Sequence, residues 1–277
     1  MIQSLPWRLW RAQIAAILRL EIKKNFWARR AIPVYLLAAA PAVLYGIHLL
    51  ALWQGLSRCS GRGDAMVYAG MFQFYYLRLG IFFGCVFVFM NLFRGEVLEK
   101  SLHYYFLAPV RRELLVVGKY LSGLVTGVAL FGGGAALSFL ILVPHIAAFR
   151  NQSLFATEAP AHLLAYTGVA VLAVAGYGAV FLFMGLIFRN PIIAAVVVLI
   201  WESINAFLPP LLKKISVIFY LDSLCPVEIT QRGRIFALTV DPPPAWVAIP
   251  GLILLSLVLV ALSSLRIRRM EISYGTE

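Results

Sequence analysis

Six apolar stretches dominate the chain, at roughly 31–53, 68–93, 115–143, 162–188, 191–208 and 246–265. About 20 apolar residues suffice for a helix to cross the hydrocarbon core of a bilayer. The fifth stretch is the shortest and is bounded by Pro191 and Pro209-Pro210. None of the six alternates polar and apolar residues, which argues against a barrel; backbone groups in lipid must then pair within helices. The pattern therefore predicts an all-α membrane protein with six transmembrane helices. Ahead of them, Ser4-Leu5-Pro6 is a helix start, with proline in the first turn. On that helix Trp7, Trp10, Ile14, Ile17 and Leu18 share one broad face, and Arg8, Arg19, Lys23 and Arg30 fall largely on another. This predicts an amphipathic helix lying along the membrane surface, with its basic groups toward anionic lipid. Glu21 falls on the apolar side and breaks the pattern.

Between the second and third stretches, Arg94 to Lys119 is too polar to span and too apolar for a solvated linker. Glu96, Glu99 and Lys100 are placed to cap and line a short helix there, which Pro109 should end. Arg111 and Arg112 begin the return to the membrane. Two charges lie inside spans, Arg78 in the second and Glu202 in the fifth. Each alone costs about 2.5–3.5 kcal/mol at a helix centre, and pairing offsets part of that. The expectation is an Arg78–Glu202 contact, within or across subunits, joined by Asn205 one turn after Glu202. The alternative is that Arg78 reaches outward and Glu202 faces a loop. In the 209–245 region Ile215–Leu221 is apolar but too short to cross, which fits a short re-entrant or surface helix. Gly80 with Gly84 and Gly123 with Gly127 are spaced for close helix approach, and Gly132-Gly133-Gly134 for loosening the third helix.

Composition agrees with this pattern: 62% of residues are hydrophobic and 13% charged, far from the usual balance of soluble domains. The net charge of +12 sits in blocks between apolar stretches, as membrane topology requires, rather than in a nucleic-acid-binding patch. With the N-terminus inside, the inner segments carry sixteen Lys/Arg and the outer segments seven, which predicts cytoplasmic termini. The first thirty residues carry seven Lys/Arg and no uninterrupted apolar run, so no cleavable signal peptide is expected. The three cysteines, Cys59, Cys85 and Cys225, form no CxxC pair, and the four histidines are dispersed; no metal site is expected. Cys59 and Cys225 both fall outside in this topology, which leaves a disulfide between them open in an oxidising compartment.

An acidic residue, Lys100-Ser101-Leu102, an aromatic-leucine stretch, Ala108-Pro109-Val110-Arg111-Arg112 and Gly118-Lys119 follow one another within Glu96–Lys119. This run resembles the inner loop of permease subunits of the type-2 ATP-binding-cassette exporters. The six-helix layout and the surface helix are similar to that family as well. Ser101 stands where members usually have threonine. The resemblance implies an interfacial segment over 1–30, a transmembrane domain over 31–265 and a cytoplasmic tail over 266–277. It implies a cytoplasmic coupling helix at 94–108, with Glu96, Glu99, Lys100, Arg111 and Arg112 transmitting force from a separate cytoplasmic ATPase. Two permease copies, as a homodimer or a related heterodimer, would enclose a pathway lined mainly by the second and fifth helices. The expected setting is the cell (inner) membrane, multi-pass, with both termini cytoplasmic.

No phosphate loop occurs, since Gly118-Lys119 lacks the upstream glycine and the following hydroxyl residue. ATP and Mg are therefore expected in the partner ATPase, and this chain is expected to be no enzyme and to bind no cofactor. Two other classes remain open: an integral membrane enzyme acting on lipid, using Glu202, Arg78 and His48, and a non-transporting assembly factor that docks an ATPase. The enzyme is disfavoured because no base and nucleophile are paired at fixed spacing. The transported substrate is not legible.

Overall fold

The structure, a computed structural model, describes residues 7–28, 31–55, 61–98, 105, 107, 110–148, 159–188, 190–227 and 243–269. Among these residues every regular element is helical. Helix α1 (Trp7–Trp27) is followed by α2 (Ile32–Trp53), α3 (Ala65–Glu96), α4 (Arg112–Val143), α5 (Ala159–Ile187), α6 (Pro191–Ile204), α7 (Val217–Leu224) and α8 (Ala245–Arg268).

Five of these, α2, α3, α4, α5 and α8, are long and apolar enough to cross a membrane. The stretch read from the sequence as a sixth span, 191–208, forms instead the 14-residue helix α6 and a single 3-10 turn, Asn205–Phe207. At 1.5 Å per residue α6 is about 21 Å long, short of a hydrocarbon core of about 30 Å. Its ends follow from local chemistry. Pro191 sits in the first turn, and Asn190 Oδ1 accepts from Ile192 N at 2.9 Å. Pro209 turns the chain extended beyond Leu208.

Burial sorts the long helices. In α3 and α5, 72% and 61% of the apolar window is buried, against 22% in both α2 and α8. The core is therefore α3 and α5, with α2 and α8 outermost and largely apolar on their exposed sides. Such surfaces are stable only in contact with lipid or another apolar partner. Aromatic rings fill the centre: Tyr68, Phe72 and Tyr76 of α3 meet Phe131 and Phe139 of α4 and Tyr166 of α5. The Tyr68 and Tyr76 hydroxyls are satisfied by backbone, as buried polar groups require: Tyr68 Oη donates to Ala135 O at 3.3 Å and Tyr76 Oη to Phe131 O at 2.6 Å.

The glycine spacing works by close approach, unevenly. A methyl at Gly84 would fall inside the Phe131 ring, and one at Gly127 would lie 2.5 Å from Val174. At Gly80 the nearest atoms stay at ordinary contact distance. The triple-glycine stretch does not break α4; a π-helical turn, Val128–Gly132, precedes it and the helix continues. Two further π-helical segments, Phe72–Ile81 and Val86–Met90, lie in α3.

The N-terminal stretch is helical as α1, which lies along the first half of α4. Gly118 permits this contact, since a methyl there would meet Ile17 at 2.9 Å. The apolar stretch near 215–221 is also helical: α7 packs on α5 and α8 through Val217 and Tyr220, against Gly176 and Gly251.

Candidate functional site

Two polar clusters stand out in an otherwise apolar bundle. The first lies where α1, the end of α3 and the start of α4 converge. Lys119 of α4 is fully buried, and its ammonium donates to Glu21 Oε1 of α1 at 2.5 Å and to Glu96 Oε1 of α3 at 2.7 Å. A third bond goes to Leu92 O at 2.9 Å, which uses all three donors of the ammonium. The rings of Phe93 and Tyr105 lie 5.4 and 5.1 Å from it, within cation–π range. Lys24 lies 3.9 Å from Glu96. Two buried carboxylates thus face one buried ammonium, with the partly exposed Lys24 beside them. Tyr105 Oη reaches Glu21 Oε1 at 3.5 Å. Burial, and then the two carboxylates, push the Tyr105 phenol well above its usual range, so it stays a donor.

Other charges of the same region bind helix ends. Arg112 donates to the carbonyls of Ile267 and Arg268 at 3.4 and 3.2 Å, satisfying the C-terminus of α8. Glu113 pairs with Arg268. The Arg111 guanidinium sits 4.9 Å from the centre of the Trp10 ring on α1. Of the five charges expected to transmit force, Glu96 is buried, and Arg111 and Arg112 contact neighbouring helices. Glu99 and Lys100 lie outside the described residues, as does most of the expected short helix; the chain stays helical from Asn91 to Leu98. The sequence did carry a signal for the missed cluster. Glu21 on an apolar face and Lys119 inside an apolar stretch are both costly unless they meet.

The second cluster surrounds α7. Arg78 of α3 pairs with Asp222 of α7 at 3.1 Å, not with Glu202. Glu202 faces the N-terminus of α7, where its Oε1 accepts from Val217 N at 3.0 Å and its Oε2 from Ile218 N at 3.1 Å and Ser216 Oγ at 2.6 Å. The expected Arg78–Glu202 contact is thus replaced within the chain. Unpaired amides at a helix start are strong carboxylate ligands, and α7 offers them, with twelve residues separating it from the end of α6. Asn205 joins the group by donating to Ser216 Oγ. A turn later, Gln73 Nε2 of α3 donates to Val227 O at 2.6 Å. So α7 is clamped at its start by α6 and at its end by α3. Cys225, just beyond α7, is a buried free thiol that burial pushes up to about 12. Cys59, considered above as its disulfide partner, lies outside the described residues.

The Arg78–Asp222 pair is partly exposed, each side chain at 33%, so its coupling should be modest, about 0.5–1 kcal/mol. A double-mutant cycle on thermal unfolding with Arg78→Asp and Asp222→Arg should show the swapped pair recovering stability lost by either change alone. The Arg78→Glu, Glu202→Arg swap should recover none.

Among the described residues no group of three or more His, Cys, Asp or Glu is arranged to hold a metal. The chain matches no family model, and no curated protein matches it in sequence. What is established is a helical architecture with five helices suited to a membrane.

Proposed function

We propose that this chain is the membrane-spanning permease subunit of an ATP-binding-cassette exporter, driven by a separate ATPase that pushes on the segment around 94–112. The observation that carries the reading is the Lys119 cluster. It ties α1, the end of α3 and the start of α4 together on either side of that segment. A displacement of the segment would thus be delivered to two long helices and the surface helix at once, rather than dissipated in a loose loop. Packed helices respond to such a push by shifting between discrete arrangements. The short helix α6, with apolar Ile193, Val197 and Ile200 exposed, would face a second copy and the pathway. The reading of Arg78 and Glu202 as a lipid-modifying centre is less favoured, since each is committed to another partner.

The test is affinity purification of the full chain in mild detergent. It should bring down a soluble P-loop ATPase with measurable ATP hydrolysis. Leu107, 79% exposed, is the described position best placed to touch it. Leu107→Arg should reduce the recovered ATPase activity about tenfold while leaving the permease folded, as loss of an interface anchor does. A folded chain that brings down no ATPase would overturn the proposal.

A further inference from the structure

The outward seam of α3 runs through Met66, Gly70, Phe74, Leu79, Phe83 and Phe87, each exposed or half-buried. Every step along it is four residues except one: from Phe74 to Leu79 the step is five. In an α-helix a step of four stays near one line, whereas a step of five swings about 140° around the axis. The seam nevertheless keeps to one side, because Phe72–Ile81 is π-wound and its backbone bonds link residues five apart.

The same five-residue repeat governs the neighbouring positions. Phe72 and Leu77 are both buried. The Tyr75 ring lies over Gly80, where an added methyl would stand 3.7 Å from it. Gln73 and Arg78 both reach the far end of α7, Gln73 through Val227 O at 2.6 Å and Arg78 through Asp222 at 3.1 Å. An α-wound segment joining the same flanking faces would need one residue fewer. It would also set Gln73 and Arg78 about 140° apart, so that only one of them could face α7. Helix α3 thus carries one residue more than its flanks require, and the surplus brings two polar side chains to bear on α7. Wide turns of this kind recur at functional positions in helices.

We propose that the π-wound segment of α3 is a register switch for α7. Rewinding Phe72–Ile81 into an α-helix takes either Gln73 or Arg78 off α7 and releases its far end, while Glu202 keeps the near end. The inference rests on the packing of this chain alone and not on the presence of an ATPase.

Two measurements on the full chain in detergent, without any ATPase, test it. The first reads the winding. In a background with Cys59, Cys85 and Cys225 changed to serine, the pair Phe74→Cys, Leu79→Cys should be bridged by dibromobimane about tenfold faster than the pair Leu257→Cys, Leu262→Cys. The second pair is also exposed and five apart, but in the α-wound α8. Equal bridging rates would overturn the proposal. The second measurement reads the consequence, in a background with Cys59 and Cys85 changed to serine. Deletion of Leu79 removes the surplus residue and should leave the chain monodisperse on size exclusion, with maleimide labelling of the buried Cys225 about tenfold faster than in the undeleted protein. Deletion of Leu164 from the α-wound α5, where no residue is surplus, should instead cause aggregation. Aggregation of the Leu79 deletion, tolerance of both deletions, or a folded Leu79 deletion with Cys225 still protected would each overturn the proposal.

Discussion

Lys119→Met is expected to cost about 3–5 kcal/mol of stability, because it leaves two carboxylates, Glu21 and Glu96, buried without their shared cation. Lys24, 3.9 Å from Glu96, replaces only part of that charge. A loss of this size in a protein of ordinary margin shows as aggregation or a large fall in the melting temperature in detergent. The diagnostic variant is the triple Glu21→Gln, Glu96→Gln, Lys119→Met. It removes the cation and both anions together, and should recover most of the lost stability. If the triple variant is as unstable as Lys119→Met, shape rather than charge governs the site. In transport terms the triple variant is the more informative protein: it should fold yet couple poorly, since α1, α3 and α4 are then joined by weaker bonds.

Glu202→Leu is the second large effect. It removes the acceptor of two backbone amides at the start of α7 and of the Ser216 hydroxyl. Each orphaned buried group costs about 1–3 kcal/mol, and because the three share one acceptor a net loss of about 3 kcal/mol is expected. The loss should be local, since the carboxylate holds only the start of α7, and the far end keeps its own ties to α3. Cys225 reports it directly. In the intact protein the thiol is buried, with its titration pushed up to about 12, and is therefore unreactive at neutral pH. In Glu202→Leu the start of α7 is released, and maleimide labelling of Cys225 should accelerate at least tenfold in a Cys59→Ser background. Glu202→Asp, which keeps the charge on a shorter arm, should fall between the two. Unchanged labelling in Glu202→Leu would mean that packing on α5 and α8, not the carboxylate, holds α7 in place.

How much of this was legible in the sequence depended on whether the signal was local. The long apolar runs and the amphipathic start are local patterns, and α1, α2, α3, α4, α5 and α8 fall within a few residues of the expected positions. Only part of the 191–208 stretch is α-helical, because hydropathy does not register where a helix stops. Pro209 and the 3-10 turn cut it to a length short of a full span. The two charged clusters were half visible. Arg78 and Glu202 announced themselves as charges in apolar runs, but their partners did not. Asp222 is 144 residues from Arg78 and sits at the edge of a stretch that reads as a surface loop. The partners of Glu202 include two backbone amides, which carry no sequence signature at all. Lys119 and Glu21, 98 residues apart, each looked like a flaw in an apolar pattern, and the two flaws compensate each other. A misplaced charge on an apolar face is thus better read as half of a pair whose other half is to be sought in another helix.

The central claim is that the segment between α3 and α4 meets a cytosolic ATPase, so its side of the membrane is the quantity to measure. A single cysteine placed at the exposed Leu107, in a background with Cys59, Cys85 and Cys225 changed to serine, can be labelled with a membrane-impermeant maleimide in vesicles of known orientation. Labelling of Leu107→Cys in inside-out vesicles alone is the predicted result. Labelling of Leu107→Cys from the external face would contradict ATP-driven coupling through this segment.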